Sequence, residues 1–153
     1  MLDFPDLSYN TFLDIPVEYY DKFDVILIDY DNTLAPWHGE VGDNYLSRLT
    51  AIKSKILVVS NGNPERIARS FSKTSIEVHG WCLKPLTYRI RRILKKHSVN
   101  PGHCIFIGDN LITDIWTGHK LGCFTIKVNP ISNKEHPATL FWRFIEYILT
   151  HCP

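Results

Sequence analysis

Val25-Ile26-Leu27-Ile28-Asp29-Tyr30-Asp31-Asn32-Thr33-Leu34 is the stretch that decides the fold. Four apolar residues stop abruptly at two aspartates spaced one residue apart, and a loop begins. Such a run, bounded by polar turn residues, reads as a buried parallel strand. Open α/β sheets place their ligands at the C-terminal ends of their strands. With a strand period of two, Asp29 and Asp31 start out on the same side. Two crowded carboxylates repel each other and lose hydration unless a cation sits between them. An isolated Asp-x-Asp is usually a polar turn, so the rest of the chain has to carry the functional reading.

Further apolar runs lie at Ile56 to Val59, Ile76 to Val78, Cys104 to Ile107 and Phe124 to Val128. Helical patterns separate them. Asp43 to Ile52 carries Tyr45, Leu46, Leu49 and Ile52 at helical spacing, with Asp43 as the expected N-cap. Pro64 to Phe71 begins with Asn63 as cap and Pro64 at the first helical position. Pro85 to His97 is expected to repeat that arrangement and to bury Ile90, Ile93 and Leu94. Leu111 to Leu121 ends at Gly122, a natural stop. Alternating strands and helices imply an α/β, Rossmann-like, doubly wound and mostly parallel sheet of about five strands with helices on both faces.

The polar residues at the strand ends are of a consistent kind. Asp29 and Asp31 close the first, and Ser60-Asn61-Gly62 closes the second. Lys84-Pro85 lies beyond the third. Gly108-Asp109-Asn110 closes the fourth, with Asp114 five residues after Asp109. Parallel strands bring these ends to one edge. Carboxylates, a hydroxyl and one ammonium are the inventory for phosphoryl transfer through an aspartyl phosphate with Mg²⁺.

Length and composition bound the reading. The 153 residues, 44% hydrophobic and 22% charged, are ordinary for one globular domain spanning residues 1–153. A formal net charge of +1 gives no bulk attraction to nucleic acid. No signal-peptide pattern opens the chain and no apolar segment is long enough for a membrane span, so a cytoplasmic protein is expected. Cys82, Cys104, Cys123 and Cys152 are too scattered for a two-Cys metal knuckle and read as reduced thiols.

The order Asp-x-Asp-x-Thr, Ser, Lys, Gly-Asp-x-x-x-x-Asp resembles the four motifs of the haloacid dehalogenase (HAD) superfamily. More narrowly, Asp29 to Trp37, Ser60-Asn61, Lys84-Pro85, Gly108 to Ile115 and Leu121 to Ile131 resemble the YqeG-type, subclass III-A phosphatases, a branch related to phosphatidylglycerophosphate phosphatases. Tyr30 departs from the commoner aliphatic residue, and Asn110 stands where the branch often has Gln. The resemblance implies a HAD-like fold. It makes Asp29 the nucleophile and Asp31 the general acid and then base. Ser60 and Asn61 are implied to bind substrate, and Lys84 to neutralise charge on the phosphoryl group and on Asp29. Mg²⁺ is implied at the Asp29 carboxylate, the Asp31 backbone carbonyl and Asp109, with Asp114 and Thr33 supporting from behind. An acid at position 31 favours hydrolysis of the acyl phosphate, so a phosphatase is expected rather than a phosphorylated pump or switch.

The 26 residues between Thr33 and Ser60, and the 23 between Ser60 and Lys84, leave no room for a cap domain. An open site suits a bulky phosphorylated substrate: a lipid headgroup such as a phosphatidylglycerophosphate, or else a soluble phosphosugar, nucleotide or phosphoprotein. Peripheral membrane contact and homo-oligomer formation stay open. Trp37 and His38 follow the nucleophile loop and read first as loop packing and a solvated histidine. Asn32 and Thr33 read as loop-fixing residues. Arg89, Arg91, Arg92, Lys95, Lys96 and His97 read first as a solvated helix face, with anionic lipid as the sharper alternative. Leu140 to Leu149 is more apolar than one helix face needs, which suits packing on the sheet, a subunit contact or an interfacial membrane contact. Two rivals remain. A signalling receiver domain needs its phosphoacceptor after the third strand, where Glu77-Val78-His79-Gly80 has no Asp. A catalytically silent binding or assembly protein on the same fold would be expected to have lost one of Asp29, Asp31, Lys84 or Asp109, and none is lost.

Overall fold

A computed structural model describes residues 4–134 and residue 141. Leu140 and Trp142 to Leu149 of the apolar C-terminal segment, together with Cys152, lie outside the described residues. Among the described residues, six parallel strands form one sheet. They are β1 (Leu7–Tyr9), β2 (Val25–Ile28), β3 (Lys55–Val59), β4 (Glu77–His79), β5 (Cys104–Gly108) and β6 (Phe124–Val128). Their spatial order is β1-β6-β5-β2-β3-β4, so β2 and β5 sit side by side in the middle. The helices are α1 (Val17–Tyr20), α2 (Asp43–Ala51), α3 (Pro64–Ser70), α4 (Tyr88–Lys96) and α5 (Thr117–Leu121).

The expected architecture holds, with one strand more than the five expected. The addition is β1, whose three residues are too short to show a pattern; it joins the edge by pairing Leu7 with Ile126 and Tyr9 with Val128. The strand period divides the core in two. Ile26, Ile28, Ile56, Val58, Ile105 and Ile107 pack on one face with Leu49 of α2 and Ile67 of α3. Val25, Leu27, Leu57, Val59 and Phe106 pack on the other with Ile90 and Leu94 of α4 and Leu121 of α5. All four residues of β2 are buried, which explains why it reads as a continuous apolar run. Each such side chain contributes roughly 1.5–3 kcal/mol on burial.

Helix starts differ from expectation in two places. Gly42 is the cap of α2, and Asp43 is its first residue, where a carboxylate faces the positive end of the helix. The helix expected from Pro85 begins only at Tyr88, because the chain first turns, with Leu86 N–H donating to the Leu83 carbonyl at 2.9 Å. The Lys84–Pro85 peptide is cis. Asn63 does cap α3, accepting from the N–H groups of Glu65 and Arg66. The helix expected over Leu111 to Leu121 opens with a wide π-helical stretch, Leu111–Trp116, before tightening into α5. Gly122 ends it in the left-handed conformation, with φ of 88°. Cys82, Cys104 and Cys123 are free and buried.

Candidate functional site

The cleft lies where the chain leaves β2, β3 and β5, and residues beyond β4 form one wall. It encloses about 680 Å³ and is lined by Asp29, Asp31, Ser60, Asn61, Lys84 and Asp109, with Trp37, His38, Arg66, Arg69, Trp81 and Leu83 among its other walls. Asp29 follows β2 directly, and its N–H still donates to the Ile107 carbonyl at 2.9 Å, which fixes it to the centre of the sheet. Asp109 follows β5, the neighbouring strand.

Lys84 reaches this centre from the far wall. Its Nζ donates to Asp29 Oδ1 at 2.7 Å and to Asp114 Oδ1 at 2.5 Å. The lysine, at 4% exposure, is about as buried as its partners. Burial works against its charge, but Asp114 and Asp29 more than offset this and hold its pKa above the ordinary lysine value. The backbone of Lys84 is held as firmly. Asn61 Oδ1 accepts from Lys84 N–H at 2.7 Å, and Asn61 Nδ2 donates to the Lys84 carbonyl at 2.9 Å. The side chain of Asn61 is thus occupied in clamping Lys84 from behind.

The carboxylates are organised in turn. Thr33 Oγ1 donates to Asp109 Oδ1 at 3.1 Å and lies 3.4 Å from Asp29 Oδ2. Asn110 N–H donates to Asp114 Oδ2 at 3.0 Å. The wide helical turn brings Asp114 against Gly108, where any Cβ would stand 2.3 Å from that of Asp114. Glycine at position 108 is therefore a requirement of this close approach. Asn32, at φ of 64°, staples the loop that follows Asp29: its Oδ1 accepts from Ser132 and its Nδ2 donates to the Lys134 carbonyl. Ser60 Oγ accepts from Gly62 N–H at 3.0 Å.

Carboxylate oxygens of Asp29, Asp109 and Asp114 lie within 4.8 Å of one another. Burial pushes the Asp29 carboxyl well above the usual range; Lys84 pulls it back, and Asp114 and Asp109 push it up again. Three buried carboxylates face one ammonium, and the two nearest the cleft, Asp29 and Asp109, offer hard oxygen donors. That set fits a divalent cation of the Mg²⁺ type, which would supply the charge balance the lysine leaves incomplete. Asp114 is committed to Lys84, which suits a supporting position better than direct coordination.

Asp31 stands apart from this floor. Its Oδ2 accepts from Arg66 Nη2 at 2.6 Å. Arg66 is absent from the residues expected in the site; its only sequence signal is a basic residue one turn after the Asn63 cap, on the helix that Ser60-Asn61-Gly62 leads into. Trp81 and Leu83 were also unforeseen. Both adopt left-handed φ angles, 51° and 59°, and both are exposed beside buried Cys82 and Lys84. Bulky residues reach that region at a cost of order 1–3 kcal/mol. Trp37 and His38 line the cleft with their rings 4.3 Å apart. The basic residues Arg89, Arg91, Arg92, Lys95 and Lys96 of α4 are exposed, and two of them cap carbonyls, Arg89 that of Trp81 and Arg91 that of Lys120.

Comparison with known proteins agrees with the resemblance read from the motifs. Residues 81–138 match the HAD-hydrolase-like family model. The chain is 27% identical over 125 residues to "Probable phosphatase YqeG" of Bacillus subtilis, covering 79% of this chain and 73% of that one. It is also 27% identical to the mitochondrial phosphatidylglycerophosphatase GEP4 of Saccharomyces cerevisiae, covering 92% and 89%. Among solved structures, a HAD superfamily subfamily III A protein from Legionella pneumophila superposes with a TM-score of 0.53 at 15% identity, covering 82% of this chain and 73% of that one. An uncharacterized protein from Listeria monocytogenes gives a TM-score of 0.57 at 12% identity, covering 75% and 85%. At those identities the structures speak for the fold alone.

Proposed function

We propose that this chain, a HAD-like phosphatase, is a Mg²⁺-dependent phosphomonoester hydrolase working through an aspartyl phosphate on Asp29. The observation that carries the reading is the Lys84 ammonium at 2.7 Å from Asp29, beside Asp109 and Asp114 on a buried floor. A carboxylate attacks a phosphate dianion only where positive charge offsets the repulsion. Lys84 supplies part of that charge. Mg²⁺, held by Asp29 and Asp109, would supply the remainder and bind a phosphoryl oxygen.

The chain's own groups account for the steps. An Asp29 oxygen forms a bond to phosphorus while the ester P–O bond breaks. Asp31 gives its proton to the departing alkoxide. Water then loses a proton to Asp31 and attacks the same phosphorus. The bond to Asp29 breaks, inorganic phosphate leaves, and both aspartates return to their starting states. Ser60 Oγ, oriented by the Gly62 N–H, donates to a phosphoryl oxygen. Asn61 acts through the backbone of Lys84.

For the substrate we favour a lipid phosphate of the phosphatidylglycerophosphate type. Trp81, Leu83, Leu86 and Tyr88 are each between 43% and 55% exposed on the stretch leading from the cleft wall into α4. Arg89, early in α4, donates to the Trp81 carbonyl, so a cationic group joins these apolar side chains, a combination suited to an anionic membrane surface. No helix among the described residues is long and apolar enough to cross a membrane. The relative named phosphatidylglycerophosphatase supports the same substrate.

Phosphate release from an aryl phosphate, with Mg²⁺ and with EDTA, tests the reaction in wild type and Asp29→Asn. Metal-dependent release that disappears in the variant is expected. Release that survives in Asp29→Asn would remove Asp29 from the mechanism. Turnover of the lipid phosphate in anionic vesicles against soluble phosphosugars tests the substrate.

A further inference from the structure

Arg66 occupies the cleft wall beside the carboxylate–lysine floor. Its Nη2 donates to Asp31 Oδ2, and its guanidinium lies over the Tyr30 ring, 5.3 Å from the centroid. Tyr30 is itself fixed, with its hydroxyl donating to the Gly39 carbonyl at 3.0 Å and lying 2.7 Å from Ser70 Oγ. Gly62 makes room for the pair: a Cβ there would stand 2.7 Å from Arg66 Nη2 and 3.1 Å from Asp31 Oδ2. Asp31 engages only one arm of the guanidinium. Arg66 Nη1 and Asp31 Oδ1 are both buried and have no hydrogen-bond partner among the described residues. Arg69, one turn further along α3, lines the same cleft, as does Glu65.

Position gives this pair its meaning, and here the inference rests on the phosphatase reading. Asp31 stands beside the ester oxygen that leaves. A group in contact with Asp31 therefore flanks the alcohol part of the substrate rather than its phosphoryl group. We propose that Arg66, backed by Arg69, forms an anion subsite that selects phosphomonoesters whose alcohol carries a second anionic group a few bonds from the ester oxygen. The shared chemistry is an anionic oxygen pair, from a phosphodiester or from a carboxylate, which a guanidinium meets with two parallel donors. Without substrate, the Asp31 carboxylate is the internal stand-in for that group. An incoming anion takes over the guanidinium and frees Asp31 to turn to the leaving oxygen.

The test compares kcat/KM for three soluble esters: glycerol 3-phosphate, 3-phosphoglycerate and glycerophosphoglycerol phosphate. The first has a neutral tail, the second a carboxylate and the third a phosphodiester. Wild type is expected to favour at least one charged tail by about tenfold or more. Arg66→Gln is expected to bring that ratio close to one, with Arg66→Lys in between. Whichever charged ester loses more identifies the source of the anion. Equal loss on all three esters, leaving the ratio intact, would show that Arg66 only orients Asp31 and would overturn the subsite. A binding arm separates this from the reaction itself: quenching of tryptophan fluorescence by three-carbon phosphonates with and without a terminal carboxylate. A binding preference that depends on Arg66, without turnover of any ester, would support the subsite and count against the phosphatase reading. Turnover in wild type with no preference in either arm would do the reverse.

Discussion

The floor of the cleft and its rim are held by different means. On the floor, Asp29, Lys84, Asp109 and Asp114 are at most 7% exposed, and hydrogen bonds running through Thr33, Asn61 and Asn110 restrain their side chains or backbone. The floor belongs to the sheet, since Asp29 and Asp109 continue the two central strands. On the rim, Trp81, Leu83 and Arg69 are exposed, and two of the residues bend through left-handed φ angles. A buried floor fixes charge where the same reaction always needs it, while an exposed rim can change from substrate to substrate without disturbing the fold. On the proposed function, chemistry and selectivity are separated in space, and Arg66, which touches Asp31, stands between them.

If the floor is the chemical centre, its substitutions must cost most. Asp29→Asn is expected to lower phosphate release by about four orders of magnitude or more, the scale seen when a nucleophile is lost. Stopped assays at high enzyme concentration would measure it, with circular dichroism confirming the fold. Lys84→Met leaves Asp29 and Asp114 buried without their ammonium. Removing one partner of a buried pair destabilises by about 3–5 kcal/mol, so urea denaturation should show a marked loss, together with lost activity. An unchanged midpoint would mean that the floor is not the tightly coupled unit described here.

Metal binding sharpens the same contrast through pH. Burial raises the Asp29 carboxyl, followed by opposing effects of Lys84 and its acidic neighbours. The protonated form is therefore favoured at low pH, and a cation must displace that proton to bind. Apparent Mg²⁺ affinity should rise with pH through the raised value and level off above it, by about tenfold per unit for one displaced proton. Calorimetric titration in two buffers of different ionisation enthalpy would reveal the released proton. Asp29→Asn should abolish that release.

Substitutions at the rim should be milder. Asn63→Ala removes the cap of the helix that carries Arg66 and should cost about 1 kcal/mol of stability. Gly62→Ala should cost less still, because the atom it meets first is the far end of the Arg66 side chain. Its expected signature is a changed preference between esters with charged and neutral tails, measured by kcat/KM.

The floor was legible in the sequence because its residues follow apolar runs whose period and length identify strands. Val25 to Ile28 and Cys104 to Ile107 announce where Asp29 and Asp109 must sit, and parallel strands bring them to one edge. Helices α2 and α3 were legible for the same reason, from spacing and from the Asn63 cap. The rim was not. Trp81 and Leu83 lie in a stretch whose course depends on where the buried Lys84 must go, and no local pattern encodes a left-handed Trp or Leu. Nothing in the sequence distinguishes Arg66 from any other helical arginine; only the fold places it on Asp31. Strand β1 escaped because three residues of mixed polarity carry no period, and the start of α4 was misplaced because a turn at Leu83 to Leu86 precedes it.

The central claim is that Asp29 takes the phosphoryl group and Asp31 governs its release. Asp31→Asn should still form the acyl phosphate slowly and fail to hydrolyse it. Acid-quenched Asp31→Asn enzyme, incubated with an aryl phosphate and Mg²⁺ and analysed by peptide mass spectrometry, tests this most directly. The account predicts a phosphoryl adduct on the peptide and residue of Asp29, absent when EDTA is present. An adduct on another residue, or full hydrolysis by this variant with no adduct, would contradict it.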